Sequence, residues 1–325
     1  MGWLAWFLAQ RLFKAAVILF CIVLINFTLI RAAPGDPASV MAGEAGAADP
    51  EYVERLRERF GLNEPLPQQM ATYVAAVFQG DLGFSYRENQ PVSSLIMERL
   101  PATLLLTVTA FVFALAMGVL LGTLAAMNVG RWSDTAITTL ALISYATPLF
   151  WLGLMLILLF SVQLGWLPSF GFESIGREGI GLARVLDVGR HLILPVLTLG
   201  LFYMAVYTRL TRSSILEVHQ MDFVKTARSK GVSERNVMTH HILRNAILPV
   251  ITFAGFQAGH LIGGSILVET VFAWPGIGRL AFNALLQRDY QVLLGVFVVT
   301  SILVLLFNIV TDLIYTLVDP RIEVK

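Results

Sequence analysis

The sequence predicts an all-α, polytopic membrane protein with six transmembrane helices, and three observations carry that prediction. Of 325 residues, 56% are hydrophobic and 14% charged, with a mean hydropathy of +0.72. Soluble domains carry about 25% charged residues, so this chain has too much apolar surface for water. Its apolar residues collect in runs of the length that crosses a bilayer core, about 20 residues each. Its basic residues are divided unevenly between the segments that separate those runs. The formal net charge of +1 gives no attraction for nucleic acid. The single cysteine, Cys21, lies in an apolar run, so an intrachain disulfide is excluded.

Residues 1–30 combine an interfacial stretch bearing Trp3, Trp6 and Phe7 with Arg11, Lys14 and the apolar run Ala15–Ile30. Together with Arg31-Ala32-Ala33 they imitate a secretory leader. The run is long for one, and the rest of the chain keeps spanning, so the segment reads as an uncleaved first helix entering from the cytoplasm. Residues 31–100 form the longest polar stretch and are placed outside. Asp49-Pro50-Glu51, then Val53, Leu56, Phe60 and Gly61, read as a capped amphipathic helix with a C-terminal glycine. Glu64–Pro67 is a stiff connector, and Gln68–Phe78 a second helix ending near Gly80. Two roles stay open for this region: a spacer, or a piece that docks or gates at the outer mouth.

The core, 101–317, begins with the span Pro101–Met127, with Pro101 in its first turn. Gly118 and Gly122 mark a face for close helix approach. The turn Asn128–Asp134 holds Arg131 and faces the cytoplasm. The third span, 137–163, should be kinked by Pro148, and Gly165–Arg190 returns outside. The fourth span, about 191–207, contains Pro195. A basic cytoplasmic segment, 209–246, follows with Arg209, Arg212, Lys225, Arg228, Lys230, Arg235 and Arg244. It reads as two short helices around a break: Asp222 caps the first, Gly231 ends it in a left-handed conformation, and Ser233 caps the second.

In the fifth span, 247–268, Gly255, Gly259 and Gly263 line one helical face. Gln257 and His260 are polar groups at membrane depth, and two readings fit them: a satisfied interhelical hydrogen bond or a place along a substrate path. Glu269–Val292, with Trp274-Pro275-Gly276-Ile277-Gly278, reads as an outer loop of irregular turns. The sixth span, 293–317, carries Asn308 and Asp312, of which Asp312, near the cytoplasmic end, is assigned to packing or an interfacial role, and 318–325 is a cytoplasmic tail. With both termini inside, about 12 Lys and Arg fall inside and about 5 outside once the long first outer loop is set aside.

Chemistry-bearing motifs are missing. There is no G-x-x-x-x-G-K-[ST], H-E-x-x-H or G-x-S-x-G and no Cys/His cluster, so no catalytic residue and no metal site are assigned. His240 and His241 are adjacent and project about 100° apart on a helix, unlike paired ligands four positions apart. Any energy from ATP must therefore come from elsewhere than this chain, and an ion-coupled secondary transporter or channel is one reading, for which His260 and Asp312 are the candidate couplers.

The segment Met221–Pro249, MDFVKTARSKGVSERNVMTHHILRNAILP, resembles the cytoplasmic loop of binding-protein-dependent ABC importer permeases. There an alanine, a glycine four residues on and a later Leu-Pro form a docking signature, matched here by Ala227, Gly231, Leu248 and Pro249. Lys225 and Thr226 replace the usual Glu-Ala opening, and the stretch from Gly231 to Pro249 is longer than in the sugar-importer form. Both departures are similar to the dipeptide, oligopeptide and nickel branch. Further stretches fit that branch in order: RAAPGDP (31–37), FGLNEPLPQQ (60–69), QGDLGFSY (79–86), ERLPATLLLT (98–107), PLFWLGLML (148–156), VETVFAWPGIGRL (268–280) and VDPRI (318–322).

This resemblance covers nearly the whole chain and implies a type I ABC importer permease fold in a bacterial cytoplasmic (inner) membrane. The implied function is that of a non-catalytic membrane subunit of an ATP-driven, binding-protein-dependent importer, with dipeptides or oligopeptides as the expected substrates. Implied partners are a second homologous permease subunit, two cytoplasmic ABC ATPase subunits and an external substrate-binding protein. No cofactor is expected on this chain; ATP and Mg belong to the partner ATPases. The residues carried over to ATPase coupling are Asp222, Val224, Lys225, Thr226, Ala227, Arg228, Lys230 and Gly231. Ala227 and Gly231 are expected to be small so that the helix seats closely in a groove of the ATPase.

Overall fold

A computed structural model describes residues 2–32, 50–59, 61–174 and 181–318. Asp49, Phe60, the tail from 319 onward and the side chains of His260 and Asp312 lie outside the described residues. In chain order the elements begin with α1 (Gly2–Ala32), α2 (Pro50–Arg59), α3 (Leu66–Phe78), the hairpin strands β1 (Phe84–Ser85) and β2 (Gln90–Pro91), and α4 (Val92–Met127). Next come α5 (Trp132–Ala146), α6 (Leu149–Leu156) with a π-helical continuation over Ile157–Gln163, and α7 (Leu182–His219). The remainder is α8 (Asp222–Ser229), α9 (Glu234–Asn236), a π-helical turn Val237–Leu243, α10 (Arg244–Val271), α11 (Ile277–Leu286) and α12 (Tyr290–Val318). Among the described residues, four helices meet the length and apolarity needed to cross a membrane, and the α5–α6 pair adds a fifth. With α10, 28 residues long, the architecture is compatible with the six expected spans.

Two compact units divide the chain. The first comprises 1–101 and 277–305. In it α1 packs on α3: Arg31 hydrogen-bonds the side chain of Gln69, and Gln69 Nε2 donates to the carbonyls of Leu62 and Glu64 at 2.9 and 2.6 Å. Gly61 and Gly80 have φ of +61° and +82°, so the expected glycine stops hold. The hairpin pairs Phe84 with Pro91. Buried Ser85 donates from Oγ to Asp289 at 2.5 Å, and Asp289 in turn accepts from the amide of Val292 at the start of α12.

Two expectations change here. The stretch 269–292 is not a loop of turns throughout, because α11 occupies 277–286. The second long helix starts at Val92, so Pro101 lies inside it. Burial of Val92, Leu95 and Ile96 extends the helix backwards, and the proline costs one intrahelical bond, to the carbonyl of Met97.

The second unit, 102–276 with 306–325, is built around α7. The apolar stretch of α7 is mostly buried within the protein, whereas that of α4 is mostly not. Its buried residues Leu194, Leu199, Tyr203, Met204 and Tyr207 share one core with Leu106, Ala110 and Ala114 of α4, Val250 and Ala254 of α10, and Phe272 and Trp274. The close approach predicted at Gly118 and Gly122 is made by α7: an added Cβ would stand 2.4 Å from Tyr207 Cβ and 2.6 Å from the carbonyl of Thr208. At Pro148 the chain bends by 108°, a break and not the expected kink. Thr147 (φ −77°, ψ 128°) and Pro148 (φ −56°, ψ 132°) are both extended, because proline excludes the residue before it from the helical region.

Of the three glycines on α10, Gly255 is used for contact: a Cβ there would lie 1.8 Å from Thr311 Cγ2. Gly259 is buried, and Gly263 is exposed with nothing within 4 Å. The expected continuous glycine face therefore stops before Gly263, although other residues of α10 beyond it, Ser265, Val268 and Glu269, are buried.

Candidate functional site

The basic segment is shorter than its sequence suggested, because α7 runs on past Tyr207 to His219 and carries Arg209 and Arg212 as helical residues. Residues 220 and 221 turn the chain into α8. Met221 holds the N-cap position and Asp222 the first helical position, so Asp222 does not cap the helix as expected. Its carboxylate meets Lys225 Nζ at 2.9 Å, which holds its pKa below the usual carboxylate range. A negative charge in the first turn also complements the helix dipole.

One face of α8 is turned into the protein. Val224 and Ala227, three apart, are buried in a cluster with Ile215 and Val218 of α7, Val237 and Ile242 of the π-helical turn, and Ala246 of α10. Ala227 thus packs inside its own chain, as part of this cluster. Arg228 is also directed inward. Its Nε and Nη2 reach Glu234 at 2.8 and 3.1 Å, and Nη2 lies 2.8 Å from His219 Nε2. The guanidinium is a donor only, so the imidazole nitrogen facing it is the acceptor. One side chain thereby joins the end of α7, the last turn of α8 and the first turn of α9. The arginine holds the Glu234 carboxyl below its ordinary range. Asp222, Phe223, Lys225, Thr226 and Lys230 are left exposed.

The helix ends as the sequence predicted. Gly231 has φ +77°, its amide bonds the carbonyl of Arg228 at 2.9 Å, and Val232 N bonds Ala227 O at 3.2 Å. These two bonds are the pair that satisfies the last carbonyls of a helix closed by a left-handed glycine. A Cβ on Gly231 would meet nothing within 4 Å, so backbone conformation sets the need for glycine. Ser233 stands at the cap position of α9 without a side-chain cap bond. The expected second short helix is the leading end of α10, reached through the wide turn that contains His240 and His241.

Deeper in the same unit, Gln257 is half-buried on α10 and lies near Tyr203 of α7. Among the described residues, no group of three or more His, Cys, Asp or Glu converges as a metal site would require. Sequence reasoning missed two polar sites. Asp134, assigned to a turn, makes a bidentate ion pair with Arg212 at 2.7 and 2.8 Å. Glu269, assigned to an outer loop, is fully buried at the end of α10 and accepts from Thr103 Oγ1 at 2.7 Å and Ser265 Oγ at 3.2 Å. Trp274 Nε1 donates to the carbonyl of Ala102 beside it. The available signal was a carboxylate closing an apolar run just before Trp-Pro-Gly.

Comparison with known proteins agrees with this architecture. Residues 118–324 match the family model described as "Binding-protein-dependent transport system inner membrane component", and residues 4–107 match the model of its N-terminal part. A di/tripeptide transport system permease protein of Pseudomonas aeruginosa is 42% identical over 331 residues, covering 98% of both chains. An oligopeptide transport system permease protein of Bacillus subtilis is 41% identical, covering 98% of this chain and 100% of the relative. Among solved structures, an inward-facing form of the MetNI methionine ABC transporter aligns with a TM-score of 0.56 at 19% identity, over 70% of this chain and 97% of the other. The likeness to that structure supports the fold; the sequence matches establish that this chain belongs to the binding-protein-dependent transport system inner membrane component family.

Proposed function

We propose that this chain is the membrane permease subunit of an ATP-driven importer for dipeptides or oligopeptides. It forms half of the translocation pathway with a second, homologous permease. Two cytoplasmic ATPase subunits supply the energy, and a soluble external protein delivers the substrate. Both termini lie in the cytoplasm, which puts α8 on the side where the ATPases work. The observation that carries this reading is α8 itself: a short helix with a glycine stop, locked to α7 by an apolar cluster and by Arg228, with Phe223, Lys225 and Lys230 exposed. A rigid projection of this kind transmits a push from a docked subunit. ATP drives transport only if it interacts differently with the inward and outward states.

The test is purification of the tagged chain in mild detergent from cells expressing its gene neighbours, followed by ATPase assays with and without the binding protein. Recovery of ATPases and a second permease, with peptide-stimulated hydrolysis abolished by Phe223→Asp, is the expected result. A chain that transports peptide alone in proteoliposomes would sink the reading.

A further inference from the structure

The Asp134–Arg212 pair lies away from α8 but is built into the same helix that carries it. Both guanidinium contacts are short, 2.7 and 2.8 Å. The amide of Gly130 adds a third bond to Asp134 at 3.2 Å, and only 8% of the Asp134 side chain is exposed. The pair fastens the first turn of α5 to α7. Further along the same antiparallel contact, Arg209 stands over the ring of Tyr145 at 4.7 Å, and Tyr145 stacks on Phe202 at 5.3 Å. Two residues of α5 near its opposite ends are therefore held by α7.

Arg212 is followed on the same helix by Ile215 and Val218, which pack against α8, and by His219, which meets Arg228. From Arg212 to His219 is about two helical turns, on the order of 10 Å, and no glycine or proline interrupts them. A displacement of α8 must move this end of α7 as one body. At its far end α5 stops at the extended residues Thr147 and Pro148, where the chain turns by 108°. α5 is thus a rod bolted at its first turn and jointed at its last.

Resting on the function proposed above, we propose that the Asp134–Arg212 ion pair is a positioning link in the coupling of ATP hydrolysis to transport: it compels α5 to follow α7 when α8 is pushed. Asp134 and Arg212 touch neither nucleotide nor peptide; they act through α5. A salt-bridged tie suits this role because a bidentate pair fixes both distance and angle, and separating its partners leaves a buried charge uncompensated.

The experiment uses the full complex in proteoliposomes with its binding protein, comparing wild type with Asp134→Asn, Arg212→Lys and the exchange Asp134→Arg/Arg212→Asp. Peptide transported per ATP hydrolysed is measured beside the hydrolysis rate and the recovery of ATPases with the tagged chain. Loss of a coupling contact should lower transport per ATP by about 2- to 30-fold while hydrolysis and recovery persist, and the exchange should restore part of the ratio. A structural defect alone would lower recovery and hydrolysis together, and that pattern overturns the proposal. Arg212→Lys keeps the charge and loses the fork, so it decides the matter if either other chain fails to assemble. An unchanged ratio in Arg212→Lys overturns the proposal. A wild-type chain recovered without ATPases refutes the underlying function instead.

Discussion

The carboxylate of Glu269, fully buried at the end of α10, accepts a 2.7 Å hydrogen bond from Thr103 Oγ1 in α4. Next to it Trp274 Nε1 donates to the carbonyl of Ala102 at 2.8 Å, so consecutive residues of α4 hold both the end of α10 and the turn that follows. Removing the hydroxyl leaves a buried acceptor short of a donor. Thr103→Val should therefore destabilise the protein by about 1–3 kcal/mol, measured as a fall in the thermal unfolding midpoint in detergent. An unchanged midpoint would mean that the hydrogen bond contributes nothing.

Gly276 stands where any side chain would enter the Glu269 carboxylate, since an added Cβ would lie 2.3–2.4 Å from its carboxyl atoms. Gly276→Ala is expected to cost about 1–3 kcal/mol through overpacking. In the Glu269→Ala background the added cost of the alanine should shrink, and equal costs in both backgrounds would refute the contact.

Gly255 and Gly263 looked equivalent in sequence and differ in the fold. Gly255→Ala forces the methyl of Thr311 aside and should destabilise by about 1–3 kcal/mol. Gly263→Ala meets open space and, on an exposed helical site, should stabilise by about 0.5–1 kcal/mol. Paired denaturation curves of the two variants check this, and equal effects would contradict the assigned facing.

For Gly231 the requirement is a positive φ. Gly231→Ala should cost about 1–2 kcal/mol, the penalty of a Cβ in the left-handed region, and Gly231→Asn less. Hydrogen exchange of the α8 amides reports this directly. Loss of partner binding in Gly231→Asn, with α8 protection unchanged, would show that the glycine serves contact instead.

Protonation should loosen the same segment. Glu234 titrates below the ordinary carboxylate range because Arg228 binds it. A lowered folded-state value means its contribution is complete above the unfolded pKa, about 4.3, and fades as pH falls through the lowered one. Protection factors for the amides of Val232–Val237 should fall as pH drops from 5 to 3. Glu234→Gln should flatten that dependence, and persistence of the slope in this variant would assign it to another group.

The membrane-spanning character, the position of the basic segment and the glycine that closes α8 were legible in the chain itself. Apolar run length, charge placement and a left-handed stop are local properties, set by neighbours in sequence. Facing and pairing were not. Ala227 carries no mark of turning inward, and Asp134 and Arg212 read as unrelated polar residues at two segment ends. Their meeting depends on how far α7 extends and which side α5 presents. Pro101 and Pro148 show the same division: each forbids a backbone hydrogen bond wherever it sits. Packing of Val92, Leu95 and Ile96 carried the helix through the first, while at the second two extended residues turned an expected kink into a break.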